Sequence, residues 1–207
     1  MNQCKIFLSA IFVFGVIMAS SPASFGQPDA RLQVEPSYEV SLQLVIGTND
    51  TVKRTDFPNS LSAISRQLKS SFTFSNYRLA GTFLGRLTNS GSFEYKSLTN
   101  IFGQESTAAS QTFLDWSVGN LRNGPNAKGA QAFQAQSFHF GARVPVTTGS
   151  FKDESGKMNS VINYEAIGVS VGKLGLPENV PTLIGTLNLP GANDTIFLVM
   201  TVRSADM

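Results

Sequence analysis

Apolar and polar residues alternate along residues 38–46 of the chain. Successive side chains of an extended chain point to opposite faces, so this alternation predicts a β-strand with one buried face. The buried face is expected to carry the even-numbered residues Tyr38, Val40, Leu42, Leu44 and Ile46.

Residues 61–72 follow a helical period instead. Apolar positions spaced by three and four lie on one face of a helix, so this segment is predicted to be amphipathic and helical. Asn59 or Ser60 precedes the first apolar position and is expected to cap the helix with its side chain. The face expected to be buried consists of Leu61, Ile64, Leu68 and Phe72.

Residues 77–95 are predicted to form a hairpin. Residues 89–91 read Asn-Ser-Gly, which is typical of a turn, and Phe93 and Tyr95 begin the return strand. The apolar positions of the first strand share one parity, so we expect them on one face. These positions are Tyr77, Leu79, Phe83 and Leu87.

The rest of the chain is predicted to be mostly strand. The final strand is apolar on both faces at residues 196–199, as expected for a central, covered strand. Polar loops are expected at 120–129 and 149–157. The predicted strands cover residues 113–118, 132–140, 142–146, 161–171, 181–189 and 195–203.

These elements predict an α+β, β-rich fold. A small strand-helix-hairpin unit over residues 27–107 is followed by a mainly antiparallel β-sheet unit over residues 108–207, and the two form either separate domains or one.

The first 26 residues have the three parts of a secretory signal peptide. A positive start at Lys5 precedes residues 6–19, which are apolar except for Ser9 and Gly15, and small residues follow. A membrane anchor is the alternative, but the apolar run is shorter than the roughly 20 residues that a spanning helix needs. We therefore expect cleavage after Gly26 or after Ala23, and export of the remainder.

Composition limits the classes of function. The chain has 207 residues, of which 14% are charged and 42% hydrophobic, which fits a globular protein. Without Lys5 the basic residues number 15 against 14 acidic ones, and this balance gives no basic field for binding nucleic acid. Cys4 lies in the signal segment, so the exported chain contains no cysteine and no disulfide.

Few residues offer reactive chemistry. The only histidine is His139 and the only cysteine is Cys4, so neither a metal site nor a cofactor is expected. The glycine-rich patterns that cradle phosphates are absent, and residues 153–156 lack the spacing of a calcium loop. We expect a protein that is not an enzyme.

Short motifs in the C-terminal half resemble the core of bacterial secretins, the outer-membrane channels of type II and type III secretion and of type IV pili. That family has a Gly-x-x-Val-Pro strand, a loop, a Tyr-Glu-x-Val-Gly strand and a Val-Ile-Gly-Gly-Leu segment. The resemblance covers residues 138–203. The residues that carry it, all with structural roles, are Gly141, Val144, Pro145, Tyr164, Glu165, Gly168, Ile184 and Gly185.

The resemblance implies a β scaffold for assembly. Residues 169–183 are too few for the gate and membrane-lip hairpins of a secretin, so the chain is similar to an abridged secretin scaffold. It implies an exported cell-envelope protein that is periplasmic, outer-membrane-associated or extracellular. Its partners would be copies of itself or components of envelope secretion or pilus systems, with membrane contact only after assembly.

The glycines and the proline of these motifs also have a direct physical interpretation. Pro145 cannot donate a ladder hydrogen bond, so it indicates a sheet edge, a bulge or a strand end. Gly141, Gly168 and Gly185 interrupt apolar strands, which favours bulges or the close approach of another backbone.

Two alternative functions remain. A cupped sheet lined by aromatic residues would bind a small ligand, and a nucleophilic hydrolase would have to use His139 as its base. The aromatic residues available for a ligand cavity are Phe83, Phe93, Tyr95, Trp116 and Phe138.

Overall fold

The computed structural model of the chain describes residues 35–50, 57–102, 111–126 and 128–205. The predicted signal peptide at residues 1–26 and its cleavage sites lie outside these residues, as does the predicted boundary between residues 107 and 108. The fold is α+β and β-rich, as the sequence predicts, and the described residues form one short α-helix and two antiparallel sheets.

The first sheet has four strands in the order β2-β1-β9-β8. Strand β1 (Ser37–Thr48) pairs antiparallel with β2 (Asn76–Thr88) on one side and with β9 (Thr195–Ser204) on the other. Strand β8 (Thr182–Asn188) pairs with β9 at the far edge. Strands from both ends of the chain therefore share this sheet.

The second sheet is built on one long strand, β6 (Gln131–Lys152). One edge of β6 pairs with β5 (Arg122–Pro125) and β4 (Thr112–Gly119), and β4 in turn pairs with β3 (Phe93–Thr99). The other edge pairs along its whole length with β7 (Met158–Pro177). The β6–β7 hairpin is the largest strand pairing in the molecule.

The two sheets pack face to face around the main core. The even-numbered residues of β1 from Tyr38 to Ile46 are at most 2% exposed, which confirms the burial that the sequence predicts for them. They meet inward-facing residues of β4 and β6, among which Trp116, Phe138 and Phe140 are almost completely buried. This shared apolar layer holds the second sheet against the first.

The helix α1 (Ser62–Ser71) covers part of the outer face of the first sheet. Leu61, Ile64 and Leu68 are buried against Val45 and Phe197, which confirms the predicted apolar face. The Tyr77 hydroxyl donates a hydrogen bond of 3.1 Å to the Leu68 carbonyl, and burial raises the pKa of this tyrosine. Strand β9 is therefore covered on both faces, as expected.

The start of the helix differs from the prediction. Asn59 and Ser60 lie in a 3-10 turn (Asn59–Leu61), and neither side chain caps α1. The Leu61 N–H donates to the Pro58 carbonyl at 2.9 Å. The capping expectation is wrong because this extra turn separates the polar residues from the first helical turn.

Strand β2 does not keep its apolar residues on one face. A bulge leaves Ala80 out of register, because Leu44 pairs with Gly81 while Val45 pairs with Leu79. Tyr77 and Leu79 consequently pack in the cluster under the helix, whereas Phe83 and Leu87 pack in the core between the sheets.

The predicted return of β3 along β2 is also different. The turn forms, with the Gly91 N–H donating to the Thr88 carbonyl at 2.9 Å, but β3 pairs with β4 in the second sheet. The connection therefore crosses between the sheets. It takes Phe93 over the main core, where its ring centroid lies 5.0 Å from that of Trp116.

Several predicted boundaries shift in the C-terminal half. The two strands predicted on either side of Gly141 form one continuous strand, β6. The predicted loop at 149–157 is shorter than expected, because residues 149–152 belong to β6 and only residues 153–157 form the turn, and the predicted loop at 120–129 contains the short strand β5. In each case, pairing with β6 or β7 orders a polar segment as a strand.

Candidate interaction surface

The distal part of the β6–β7 hairpin pairs with no third strand of the described sandwich. The β4 pairing stops at Arg143, and beyond it the two strands pair only with each other among the described residues. We call this part the hairpin arm and define it as residues 144–152 and 158–165. Neither outer edge of the arm is therefore paired with another strand of the described chain.

A polar turn holds the tip of the arm together. One Asp153 carboxylate oxygen accepts hydrogen bonds from the Ser155 hydroxyl at 2.6 Å, the Ser155 N–H at 3.0 Å and the Lys157 N–H at 2.9 Å. The other oxygen accepts from the Asn159 amide at 3.0 Å. These bonds, led by that of the Ser155 hydroxyl, lower the pKa of Asp153. Gly156 adopts a φ of 82°, which closes the turn.

The arm exposes large apolar side chains. Phe151 is 54% exposed, Met158 56%, Val161 40% and Tyr164 43%. At the base of the arm the Phe113 ring meets the Tyr164 ring edge to face, at a centroid distance of 5.6 Å. In the β6–β7 register, Phe151 and Val161 lie on one face of the arm and Met158 and Tyr164 on the other, so both faces expose apolar side chains.

The β7 edge of the arm also lacks the features that protect sheet edges. Edge strands are usually guarded by charged residues, prolines or bulges. From position 158 to 172, Glu165 is the one charged residue of β7, and there is no proline. On the opposite edge, β6 has Pro145 and a bulge at Thr148. The β7 edge is therefore the one suited to pairing with another strand.

The sequence motifs of the second sheet come together at the base of this arm. Gly141 lies directly opposite Gly168 in the β6–β7 register, and a Cβ on Gly168 would be 2.8 Å from the Phe140 carbonyl oxygen. The backbones of these strands therefore approach more closely here than a side chain would allow, as the glycine pattern indicates.

The other motif residues of the hairpin continue this register. Val144 pairs with Glu165, and Pro145 pairs with Tyr164. Pro145 lies within β6, two residues past Arg143, the last partner of β4. It thus lies where β6 has become an edge on that side, which is one of the positions expected for a proline.

The remaining motif residues lie in the first sheet. A bulge in β8 leaves Ile184 out of register, since Leu183 pairs with Val199 and Gly185 pairs with Leu198. A Cβ on Gly185 would be 3.5 Å from the Val169 side chain of β7. The two sheets thus meet where Gly185 of β8 lies beside Val169 of β7. The motif residues lie on β7 itself and on the two strands next to it, β6 and β8.

His139 joins two polar residues on the outer face of the second sheet. Its Nε2 is 3.1 Å from an Asp115 carboxylate oxygen, and its Nδ1 is 3.0 Å from the Ser170 hydroxyl. In neutral imidazole, Nε2–H donates to Asp115 and Nδ1 accepts from Ser170. A Cβ on Gly141 would be 2.9 Å from the other Asp115 oxygen, so this glycine leaves room for the Asp115 carboxylate beside His139.

Ser170, His139 and Asp115 stand in the order of the nucleophile, base and carboxylate of a catalytic triad, but their side chains are exposed to solvent rather than enclosed in a cleft. The side chains of His139 and Asp115 are 47% and 44% exposed. The strands β4 and β6 have neighbours on both edges here, so their backbone N–H groups are engaged in the sheet. They are therefore not available to stabilise an oxyanion.

The aromatic residues considered for a ligand cavity pack against one another instead. The Phe83 ring centroid lies 5.3 Å from that of Tyr95, and Tyr95 lies 6.4 Å from Trp116. Phe138 is 1% exposed and belongs to the same core. These rings hold the sandwich together, which does not favour the small-ligand alternative.

No helix in residues 35–50, 57–102, 111–126 or 128–205 has the length and apolar character to cross a membrane. The same residues contain no cluster of three or more His, Cys, Asp or Glu side chains able to hold a metal ion.

Comparison with known proteins gives low similarity. No protein-family model and no curated protein matches the chain. Among solved structures it is similar to the secretin-domain β-barrel of InvG from the Salmonella SPI-1 injectisome NC-base, with a TM-score of 0.33, 12% identity, and coverage of 96% of this chain and 68% of that one. It is also similar to InvG residues 176-end in the open gate state, with a TM-score of 0.32, 11% identity, and coverage of 100% and 67%.

Proposed function

We propose that this protein is an exported cell-envelope protein that acts without catalysis, by binding another protein through strand addition at the β7 edge of the hairpin arm. The strand added comes from a second copy of the chain or from a component of an envelope secretion or pilus system. The observation that carries the proposal is the unpaired β7 edge, with its single charge and its exposed apolar side chains.

Strand addition uses the backbone for affinity and the side chains for specificity. The arm offers both, because an extended partner beside residues 158–163 would pair with an edge that no strand of the described chain covers, and would also cover Met158 and Val161. A hydrogen bond in such a ladder contributes on the order of 1 kcal/mol net, so several of them together hold a partner.

The proposed location is supported by the sequence. Residues 1–26 have the pattern of a secretory signal, and residues 27–207 contain no cysteine. The order of the Gly141, Pro145, Tyr164 and Gly168 motifs resembles that of secretins, which assemble in the bacterial envelope. The assembly proposed for this chain lacks the pore hairpins of that family.

The test is the native size of the protein in envelope extracts, measured by light scattering after size exclusion. Val161→Lys places a charge on the β7 edge, and the matched control Leu84→Lys places the same charge at a leucine of β2 that is 61% exposed. We expect wild type and Leu84→Lys to migrate in a complex and Val161→Lys to be released from it. A monomeric wild type, or a complex that Val161→Lys leaves intact, contradicts the proposal.

A hydrolase is the second candidate function, and one observation favours it: Ser170, His139 and Asp115 form a hydrogen-bonded line. Its test is the turnover of p-nitrophenyl acetate by wild type, by Ser170→Ala and by His139→Ala. A rate above background that disappears in Ser170→Ala and in His139→Ala favours the hydrolase. Equal rates in all three proteins eliminate it.

A further inference from the structure

A small basic pocket lies between β5, β6 and β7, at the opposite end of the hairpin from the arm. Its volume is about 270 Å³. Arg122 comes from β5 and Lys173 from β7, and the side chains between them belong to the same stretch of β6. The pocket is lined by Arg122, Gln134, Ala135, Gln136, Lys173 and Gly175.

The walls of this pocket carry two positive charges and no acidic side chain. The described residues contain no ion pair to Arg122 or to Lys173. The Arg122 Nε donates to the Asn120 side-chain oxygen at 3.1 Å, which fixes the guanidinium and leaves its terminal N–H groups available. Two cations that share a pocket repel each other, and an anion between them removes that repulsion.

The backbone at Lys173 provides an independent observation. Lys173 adopts a φ of 58° inside a strand, a conformation that glycine reaches without strain. Gly172 precedes it and Gly175 follows it, and neither has a positive φ. A lysine thus occupies the position of β7 where a glycine would fit best, and strained residues of this kind cluster at functional sites.

A neighbouring groove of about 430 Å³ shares Arg122, Gln134 and Gly175 with the pocket. The groove walls also lack acidic residues, since they consist of Asn, Gly, Pro, Ala, Phe and Leu besides the shared residues. The surface beside Arg122 along β5 therefore also lacks acidic side chains.

We propose that this pocket binds a phosphate group, either as the free ion or as the phosphoester of a lipid headgroup. The Arg122 guanidinium presents N–H donors in a planar fork that matches two phosphate oxygens, and the Lys173 ammonium supplies a compact charge. The amides of Gln134 and Gln136 donate to the remaining oxygens. This site is independent of the strand addition proposed for the hairpin arm, which lies on other residues.

The experiment is phosphate binding by the whole exported chain, measured by calorimetry against sodium chloride of equal ionic strength. The pocket variant is Arg122→Gln with Lys173→Gln. The control, Arg86→Gln with Lys157→Gln, also removes one arginine and one lysine, but outside the pocket. Thermal unfolding in chloride alone checks that all three proteins are folded. A second experiment measures whether the same proteins float with phosphatidylglycerol vesicles.

We expect wild type and control to bind inorganic phosphate, and the pocket variant to bind it roughly tenfold more weakly or not at all, because charge-assisted hydrogen bonds are lost. Vesicle binding with the same pattern identifies a lipid headgroup as the source of the phosphate. The proposal is overturned if phosphate acts on wild type no differently from chloride, whatever the vesicles show, or if the control weakens binding as much as the pocket variant.

Discussion

Two glycines of β7 should respond in opposite ways to the same substitution. In Gly168→Ala, the new Cβ would lie 2.8 Å from the Phe140 carbonyl oxygen and 3.6 Å from the Gly141 Cα. In Gly172→Ala, four positions along the same strand, the new Cβ would meet nothing within 4 Å. The pair therefore separates the effect of close backbone approach from the general effect of alanine in a strand.

The expected magnitudes follow from these distances. Ordinary Cβ contacts are 3.4–4 Å, so β6 and β7 must separate by several tenths of an ångström to accept an alanine at position 168. Phe140 is fully buried, so the shift disturbs the core, and overpacking of this kind costs about 1–3 kcal/mol. At position 172 the alanine reduces the freedom of the unfolded chain and should stabilise the protein by about 0.4–1 kcal/mol.

Urea unfolding of both variants, followed by circular dichroism, measures the two changes. The midpoint should fall for Gly168→Ala and rise for Gly172→Ala, with the slope unchanged in both. If Gly168→Ala is as stable as wild type, the backbones at Gly141 and Gly168 do not approach as closely as described, and the structural role given to this glycine pair is wrong.

Three further predictions concern other parts of the fold. Lys173→Gly should raise the free energy of unfolding by about 1 kcal/mol in phosphate-free buffer, since glycine relieves the positive φ; an unchanged urea midpoint would refute the strain. The hydrogen bonds that lower the pKa of Asp153 stabilise the turn at pH values above the ordinary carboxyl pKa, and this contribution is lost as the pH falls through the folded pKa. The amide chemical shifts of Ser155 and Lys157 should therefore titrate with a midpoint below 3.8, and a midpoint at or above 3.8 would exclude the hydrogen bonds. Leu68→Ala should cost about 2–5 kcal/mol in thermal or urea unfolding because Leu68 is fully buried, and a cost below 1 kcal/mol would mean that the helix does not pack as described.

The elements with a regular apolar period could be predicted from the sequence. The even residues of β1 and the face of α1 are buried as expected, because each period matches one geometry and one side of the element faces the core. The parity of β2 could not be predicted, since the bulge at Ala80 depends on pairing with Leu44 and Val45. A bulge of this kind cannot be predicted from the apolar alternation of one strand, because it depends on the register with the partner strand.

The length of β6 and the polar line around His139 depend on register as well. Gly141 suggested a break between strands, but the Asp115 side chain lies over it and Gly168 faces it, so the strand continues. Asp115 and Ser170 lie on two different strands, and only their common register with β6 brings them to His139. The sequence indicated the hairpin arm in one way, because two predicted strands flank the Asp-Glu-Ser-Gly segment that forms its turn.

The central claim is that the β7 edge of the hairpin arm is the surface that binds another protein chain. Amide hydrogen exchange of the exported protein, measured alone and in the native envelope complex, tests this claim most directly. The account predicts that outward-facing amides of residues 158–165 exchange rapidly in the isolated chain and become strongly protected in the complex. Rapid exchange of these amides in the complex, with protection at another surface such as the β2 edge around Leu84, would contradict it.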